Sequence, residues 1–209
     1  QTQEGMNLLR EEFLENPNDW QIQYHTGFAW RIIGDMEKSI FSYKRAIQLC
    51  PPGEPAGHMN YYGLGIVYQL IGDFDNSIDN LRKAYQLDNT SVKVLNSLGL
   101  TYKKKGNLEK AIEVYNHACQ ILMNNIMQEL QSEGYEPTYQ APDDAKAAIV
   151  NMEIFNLVPG KLKEDILYAT LQNNIAVCYA MLGQDEEARK AFREAIAFTP
   201  DGITYDAPL

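Results

Sequence analysis

The sequence predicts an all-α protein, a solenoid of stacked helix pairs with a helical segment inserted towards its C-terminal end. Three observations carry that prediction. Residues 98–118, LGLTYKKKGNLEKAIEVYNHA, continue an apolar set begun at Leu95: Leu98 and Tyr102 follow at three and four, and Ala111, Ile112, Tyr115 and Ala118 form a second set. Each set falls on one face of a helix. Gly106-Asn107 separates the two, and both residues tolerate the left-handed backbone that ends a helix. The unit then recurs. The turn glycines Gly34, Gly72, Gly106 and Gly183 are 38, 34 and 77 residues apart, the last being 34 plus 43. The bulky residues Tyr43, Leu81, Tyr115 and Phe192 keep those separations, and so do Ala46, Ala84, Ala118 and Ala195. Three marker sets in one register define an internal repeat.

These residues resemble the tetratricopeptide repeat, in which a small residue is followed by an aromatic three later, then Ala-x-x-x-Phe, Ala and Pro. The first copy has Gly27, Trp30, Ser39, Tyr43, Ala46 and Pro51; the second has Leu64-Gly65, Tyr68, Ser77, Leu81 and Ala84, with Asn89 in the proline place. The third has Leu98-Gly99, Tyr102, Ala111, Tyr115 and Ala118, with Met123 for proline, and the fourth has Ala176, Tyr179, Ala188, Phe192, Ala195 and Pro200. The resemblance spans roughly four fifths of the chain and implies a right-handed superhelix. It specifies a fold more than a function, because such repeats serve unrelated partners.

Taken in order, the elements form a single domain over 1–209. Residues 1–17 read as a capping half-repeat: Leu8, Leu9, Phe13 and Leu14 share a helix face, and Pro17 lies 34 residues before Pro51. Repeats follow over 20–51, 58–89, 92–123 and 169–200, and the Pro- and Gly-rich residues 51–57 form a loop between the first two. The third repeat lacks its proline, so its second helix is expected to continue to Glu133, giving about 25 residues ended by Gly134. Residues 124–168 are a helical insertion. Within it, 135–142 is a loop, Asp143 caps a helix bearing Ile149, Met152 and Phe155, and Pro159-Gly160 ends that helix. The fourth repeat is expected to start early, near Lys161. After Pro200 only DGITYDAPL remains to cover the last apolar face, so that face is closed by the tail, by a second copy or by further chain.

The formal charge of −10 argues against nucleic acid and anionic membranes as partners, since both need a basic surface. It fits a basic or apolar protein segment, or serves only to keep a stack soluble. No run of eighteen apolar residues is present, so no membrane span is expected. No signal peptide is visible, although the chain opens on Gln1 rather than Met. Cys50, Cys119 and Cys178 are odd in number and widely spaced, as reduced core thiols of a cytoplasmic protein would be.

The sequence has no phosphate-cradling loop, no His-Glu-x-x-His, no paired Cys-x-x-Cys and no Gly-x-Ser-x-Gly. His25, His58 and His117 stand in separate units without ligand spacing. No cofactor, no metal and no enzymatic activity are expected. Asn89-Thr90-Ser91 matches a glycosylation sequon, which carries no weight without a secretion signal.

The resemblance implies that function lies on a concave wall built from the first helix of each repeat. Mapped here, the wall takes Gln21, Tyr24, His25, Phe28 and Arg31, then Met59, Tyr62, Ile66 and Gln69, then Lys93, Asn96, Ser97, Leu100 and Lys103, and finally Thr170, Asn173, Asn174, Val177 and Met181. Chaperone-binding members of the family grip a C-terminal carboxylate with Lys, Asn, Asn, Lys and Arg. The matching places hold Tyr24, Phe28, Gly63, Lys93 and Ser97, and only Lys93 agrees. A chaperone-tail receptor is therefore not expected. Asn96 and Asn173 occupy one register position, and an amide offers both a donor and an acceptor to the backbone of an extended peptide. The expected peptide-binding set is Asn96, Asn173 and Asn174 for hydrogen bonding, with Tyr24, Phe28, Tyr62, Ile66, Lys93 and Leu100 for contact. An apolar wall of this kind is a binding site, is covered by the chain's own insertion, or is core. The leading expectation is a non-enzymatic module that binds a partner segment; the alternative is a self-associating scaffold, such as a homodimer, joined through the last repeat or the insertion.

Overall fold

The computed structural model describes residues 13–132 and 166–199, and every described element is helical. The chain forms two compact units, residues 1–107 and 108–209. The expectations for residues 1–12, for the loop 135–142, for the Asp143-capped helix with Ile149, Met152 and Phe155, for the early start near Lys161 and for the tail after Pro200 lie outside the described residues.

In the first unit α1 (Trp20–Ile33) pairs with α2 (Met36–Leu49), and α3 (His58–Leu70) pairs with α4 (Phe74–Leu87); α5 (Val92–Lys105) packs on α4. A single 3₁₀ turn, Pro55–Gly57, leads into α3. The pairs are bounded by local chemistry. Gly34, Gly72 and Gly106 adopt positive φ of 93°, 81° and 86°. The residue after each donates its N–H back to the repeat's aromatic position, Asp35 to Trp30 O, Asp73 to Tyr68 O and Asn107 to Tyr102 O, each at 3.0 Å. That is a Schellman closure, which satisfies carbonyls the helix end would leave exposed. The same aspartates start the next helix: the Asp35 carboxylate accepts from Lys38 N at 3.1 Å and that of Asp73 from Asn76 N at 3.2 Å, while Asp19 caps α1. One Gly-Asp dipeptide thus ends one helix and begins another.

The bulky repeat markers fill the gaps between helices. Tyr43, Leu81, Ala46 and Ala84 are fully buried. Tyr43 passes between α1 and α3 at their glycines: a methyl added at Gly27 would meet Tyr43 Cγ at 3.0 Å, and one at Gly63 would meet Cζ at 2.5 Å. Leu81 seats on Gly65 in the same manner, with a methyl there reaching Cγ at 2.8 Å. Large-to-small complementarity of this kind sets the spacing between neighbouring helices.

The second unit is built from α6 (Leu108–Ser132), α7 (Ile166–Met181) and α8 (Asp185–Ala197), with α7 packed on both of the others. α6 runs 25 residues, the length expected once the third repeat loses its proline. Tyr115, Ala118, Leu171, Ala176 and Cys178 are fully buried. Gln172 crosses the core, donating through Nε2 to Tyr168 Oη at 3.1 Å and to Cys119 Sγ at 3.9 Å. Gly183 closes α7 at φ 72°, and Gln184 N donates to Tyr179 O at 2.9 Å.

Candidate functional site

Seven of the nine expected contact residues stand on α1, α3 and α5 of the first unit, and these three helices are lateral neighbours. Tyr24, Tyr62, Ile66, Asn96 and Leu100 are half-buried, while Lys93 and Phe28 are exposed, Phe28 at 45%. Tyr24 stands edge-on to Tyr43 with ring centroids 5.7 Å apart. Tyr62 brings its hydroxyl within 3.3 Å of Ser97 Oγ, and Lys93 Nζ lies 5.2 Å above the Tyr62 ring. The Arg31 guanidinium lies 4.9 Å from the centre of the Phe28 ring. The result is a ring-lined surface with cations stacked on it, an arrangement favoured by the negative face of an aromatic ring. Asn173 and Asn174 stand on α7 of the second unit, both half-buried, followed by half-buried Val177 and by Met181 at 60% exposure.

Two wall positions behave differently from the others. Gln69 and Ser97 are buried. Gln69 Nε2 donates to Thr101 Oγ1 at 2.7 Å and to Ser97 O at 3.1 Å, and Ser77 Oγ lies 3.2 Å from the same threonine hydroxyl. This polar seam ties α3, α4 and α5 together. It takes both residues out of any partner's reach, because a helix-face position is open only where no neighbouring helix covers it.

The sequence marks Tyr43 only as a bulky repeat residue, and the role of its hydroxyl is not legible there. The ring is buried, yet its phenol lies near enough to Arg31 for the guanidinium to favour the ionised form. Burial pushes that phenol up to about 12, and the Tyr24 and Tyr62 phenols push the same way, while Arg31 opposes them. Burial likewise raises Tyr24. Three phenols and one guanidinium therefore share a small region of α1–α3. The signal for it was present: Gly63 stands in α3 where the carboxylate-gripping relatives carry asparagine, and the Tyr43 ring occupies the space an asparagine would need.

Metal and nucleophile chemistry find little to work with. Among the described residues no three His, Cys, Asp or Glu side chains gather as metal ligands. Burial holds the Cys119 thiol up at about 12, so it stays protonated near neutrality. Among the described residues no helix is long and apolar enough to cross a membrane.

Comparison with known proteins addresses the family. No curated protein matches the sequence. Tetratricopeptide repeat models match residues 58–124 and 169–201. Among solved structures, a crystal structure of MamA superposes with a TM-score of 0.62 at 20% identity, over 91% of this chain and 84% of that one. MamA from Desulfovibrio magneticus RS-1 gives 0.64 at 17% identity over 94% and 85%. The nearly identical TPR-like repeats of a Podosopora anserina kinesin light chain give 0.64 at 14% identity over 95% of this chain and 87% of that one. At these identities the likeness is one of fold. Marker residues, helix-pair geometry and repeat models agree: the chain carries tetratricopeptide repeats, matched over residues 58–124 and 169–201, and folds as an α-solenoid.

Proposed function

We propose that the protein is a non-catalytic adaptor that binds an extended segment of a partner protein across the first helices of its repeats. The observation that carries this reading is the surface of α1, α3 and α5, where Tyr24, Phe28, Tyr62, Ile66 and Leu100 keep apolar area open to solvent. Contiguous exposed apolar area on a soluble protein marks a binding surface more often than a neutral one. Rigid rings anchor a peptide at small entropic cost, and Asn96 adds an amide that can pair with a peptide backbone. In the second unit Asn173 and Asn174 give α7 the same backbone-binding capacity. That the wall residues are side chains of packed helices supports a preformed site. The absence of disulfides among Cys50, Cys119 and Cys178 supports a reducing compartment such as the cytoplasm.

Selection from a random peptide library displayed on phage tests the proposal. Peptides recovered on the wild-type protein should bind the Phe28→Ala and Ile66→Ala variants at least tenfold more weakly, since each substitution removes buried contact of about 1.5–3 kcal/mol. They should bind a Phe41→Ala control as tightly as wild type, because Phe41 stands 69% exposed on α2, away from the wall. Peptides lost only with Phe41→Ala would move the site to the second helices.

A second reading, self-association through the second unit, is favoured by one observation. Ile166, Met181 and Ile196 are exposed there at 43%, 60% and 63%. Light scattering on concentrated protein tests it: a strict monomer would rule it out.

A further inference from the structure

We propose that the segment bound by the first unit is acidic, with carboxylate side chains that pair with Arg31 and Lys93. The proposal rests on the wall reading above and adds the chemistry of the occupant. It runs against the net charge of the chain, which by itself suits a basic partner. What decides is where the charge stands.

The helices α1, α3 and α5 contain no Asp or Glu at all. Their charged residues are Arg31, Lys93 and the Lys103-Lys104-Lys105 run. In α2 and α4 the acids are Glu37, Asp75 and Asp79, while Asp19, Asp35, Asp73 and Asp88 stand at helix ends. A protein with ten excess negative charges thus keeps one layer free of carboxylates and basic.

The pairing of these cations sharpens the point. Lys105 is engaged by Asp75 of α4. Arg31 and Lys93 form no ion pair with a carboxylate among the described residues: Arg31 meets the Phe28 ring, and Lys93 meets the Tyr62 ring. Each cation is held over an aromatic face beside the apolar wall, and its remaining N–H donors stay available. A planar guanidinium suits a carboxylate bidentately, and an ammonium held over a ring keeps its other protons for an acceptor. A Lys- or Arg-rich segment would place like charges on Arg31 and Lys93 with no carboxylate on these helices to relieve them. A segment alternating acidic and apolar residues satisfies both the rings and the cations.

Fluorescence anisotropy with the full chain tests this, using three labelled twelve-residue peptides with one Leu/Phe framework and Glu, Gln or Lys at the remaining positions. The Glu peptide should bind about tenfold tighter than the Gln peptide and the Lys peptide weakest, with the difference shrinking as salt rises. Arg31→Gln and Lys93→Gln should each weaken the Glu peptide several-fold and leave the Gln peptide unchanged. Lys93→Glu, at an exposed position that folding does not depend on, should invert the Glu-over-Lys order. Equal binding of the Glu and Gln peptides, both lost in Phe28→Ala, would overturn the acidic preference while leaving the wall in place. No binding by any peptide would overturn both. Self-association that disappears in Lys93→Glu would overturn the partner assignment and make a second copy of this chain the occupant.

Discussion

The two units are built from one repeat and differ in charge. Residues 1–107 hold eleven Lys and Arg against twelve Asp and Glu, whereas residues 108–209 hold seven against sixteen. Their interiors differ far less: Tyr43, Ala46, Leu81 and Ala84 in the first and Tyr115, Ala118, Ala188 and Ala195 in the second do the same packing. In both units the first helices exclude carboxylates, but α7 has no charged residue of either sign, while α1 and α5 are basic. The comparison teaches that the repeat markers govern burial alone. Surface chemistry varies beneath a constant frame, so two units of one fold can present different surfaces to partners.

The difference can be broken most forcefully at Gly63. A methyl there would collide with the buried Tyr43 ring, which is packed against Gly27 on its other side and has little room to move. Gly63→Ala should destabilise the first unit by about 3 kcal/mol. Both tryptophans, Trp20 and Trp30, lie in that unit. Their fluorescence transition in urea should move to lower denaturant, leaving a later phase of circular dichroism from the second unit. A single coincident transition, shifted as a whole, would show that the units unfold together.

Alkaline pH should act in the opposite sense. Unfolded Tyr and Cys titrate from 10.0 and 9.0, while burial holds Tyr168 and Cys119 at about 12 and raises Tyr115 further. The folded second unit retains protons that the unfolded chain has released. Its stability is therefore complete below pH 9 and falls as pH rises towards 12. The first unit has Tyr43 at about 12 and a smaller rise at Tyr24. Helicity should drop before tryptophan fluorescence changes; the reverse order would assign the weaker core to the first unit.

The smallest effect is a gain. Asn60 on α3 is fully buried, and neither amide atom has a hydrogen-bond partner among the described residues. A buried amide without partners costs free energy that an apolar side chain of similar size does not. Asn60→Leu should stabilise the first unit by about 1 kcal/mol, read as a tryptophan transition at higher urea. A loss of stability instead would show that the amide is held by a bond the unit needs.

Much of the fold was legible because the repeat is local. A glycine at fixed spacing, an aromatic four residues earlier and an alanine twelve later act within one helix pair, so Gly72, Tyr68 and Ala84 announce their roles in sequence. The 25-residue α6 followed from a missing proline at Met123. The candidate wall was legible only as a register. Gln69 and Ser97 share spacing with Tyr62 and Asn96, yet neighbouring helices cover the first two and leave the second two at the surface.

By itself, then, the sequence determined that the chain is all-α, where its helices turn, and which residues pack within a pair, since those follow from period, capping and side-chain volume. Tertiary structure decided what the surface offers. The Tyr43 ring seats between α1 and α3 only because Gly27 and Gly63, 36 residues apart in the chain, leave a slot between two helices. Arg31 and Lys93 lack acidic partners because the acids of adjacent helices stand on the second helix of each pair. Such facts depend on which helices become neighbours, and burial and charge pairing are properties of that arrangement rather than of any local stretch.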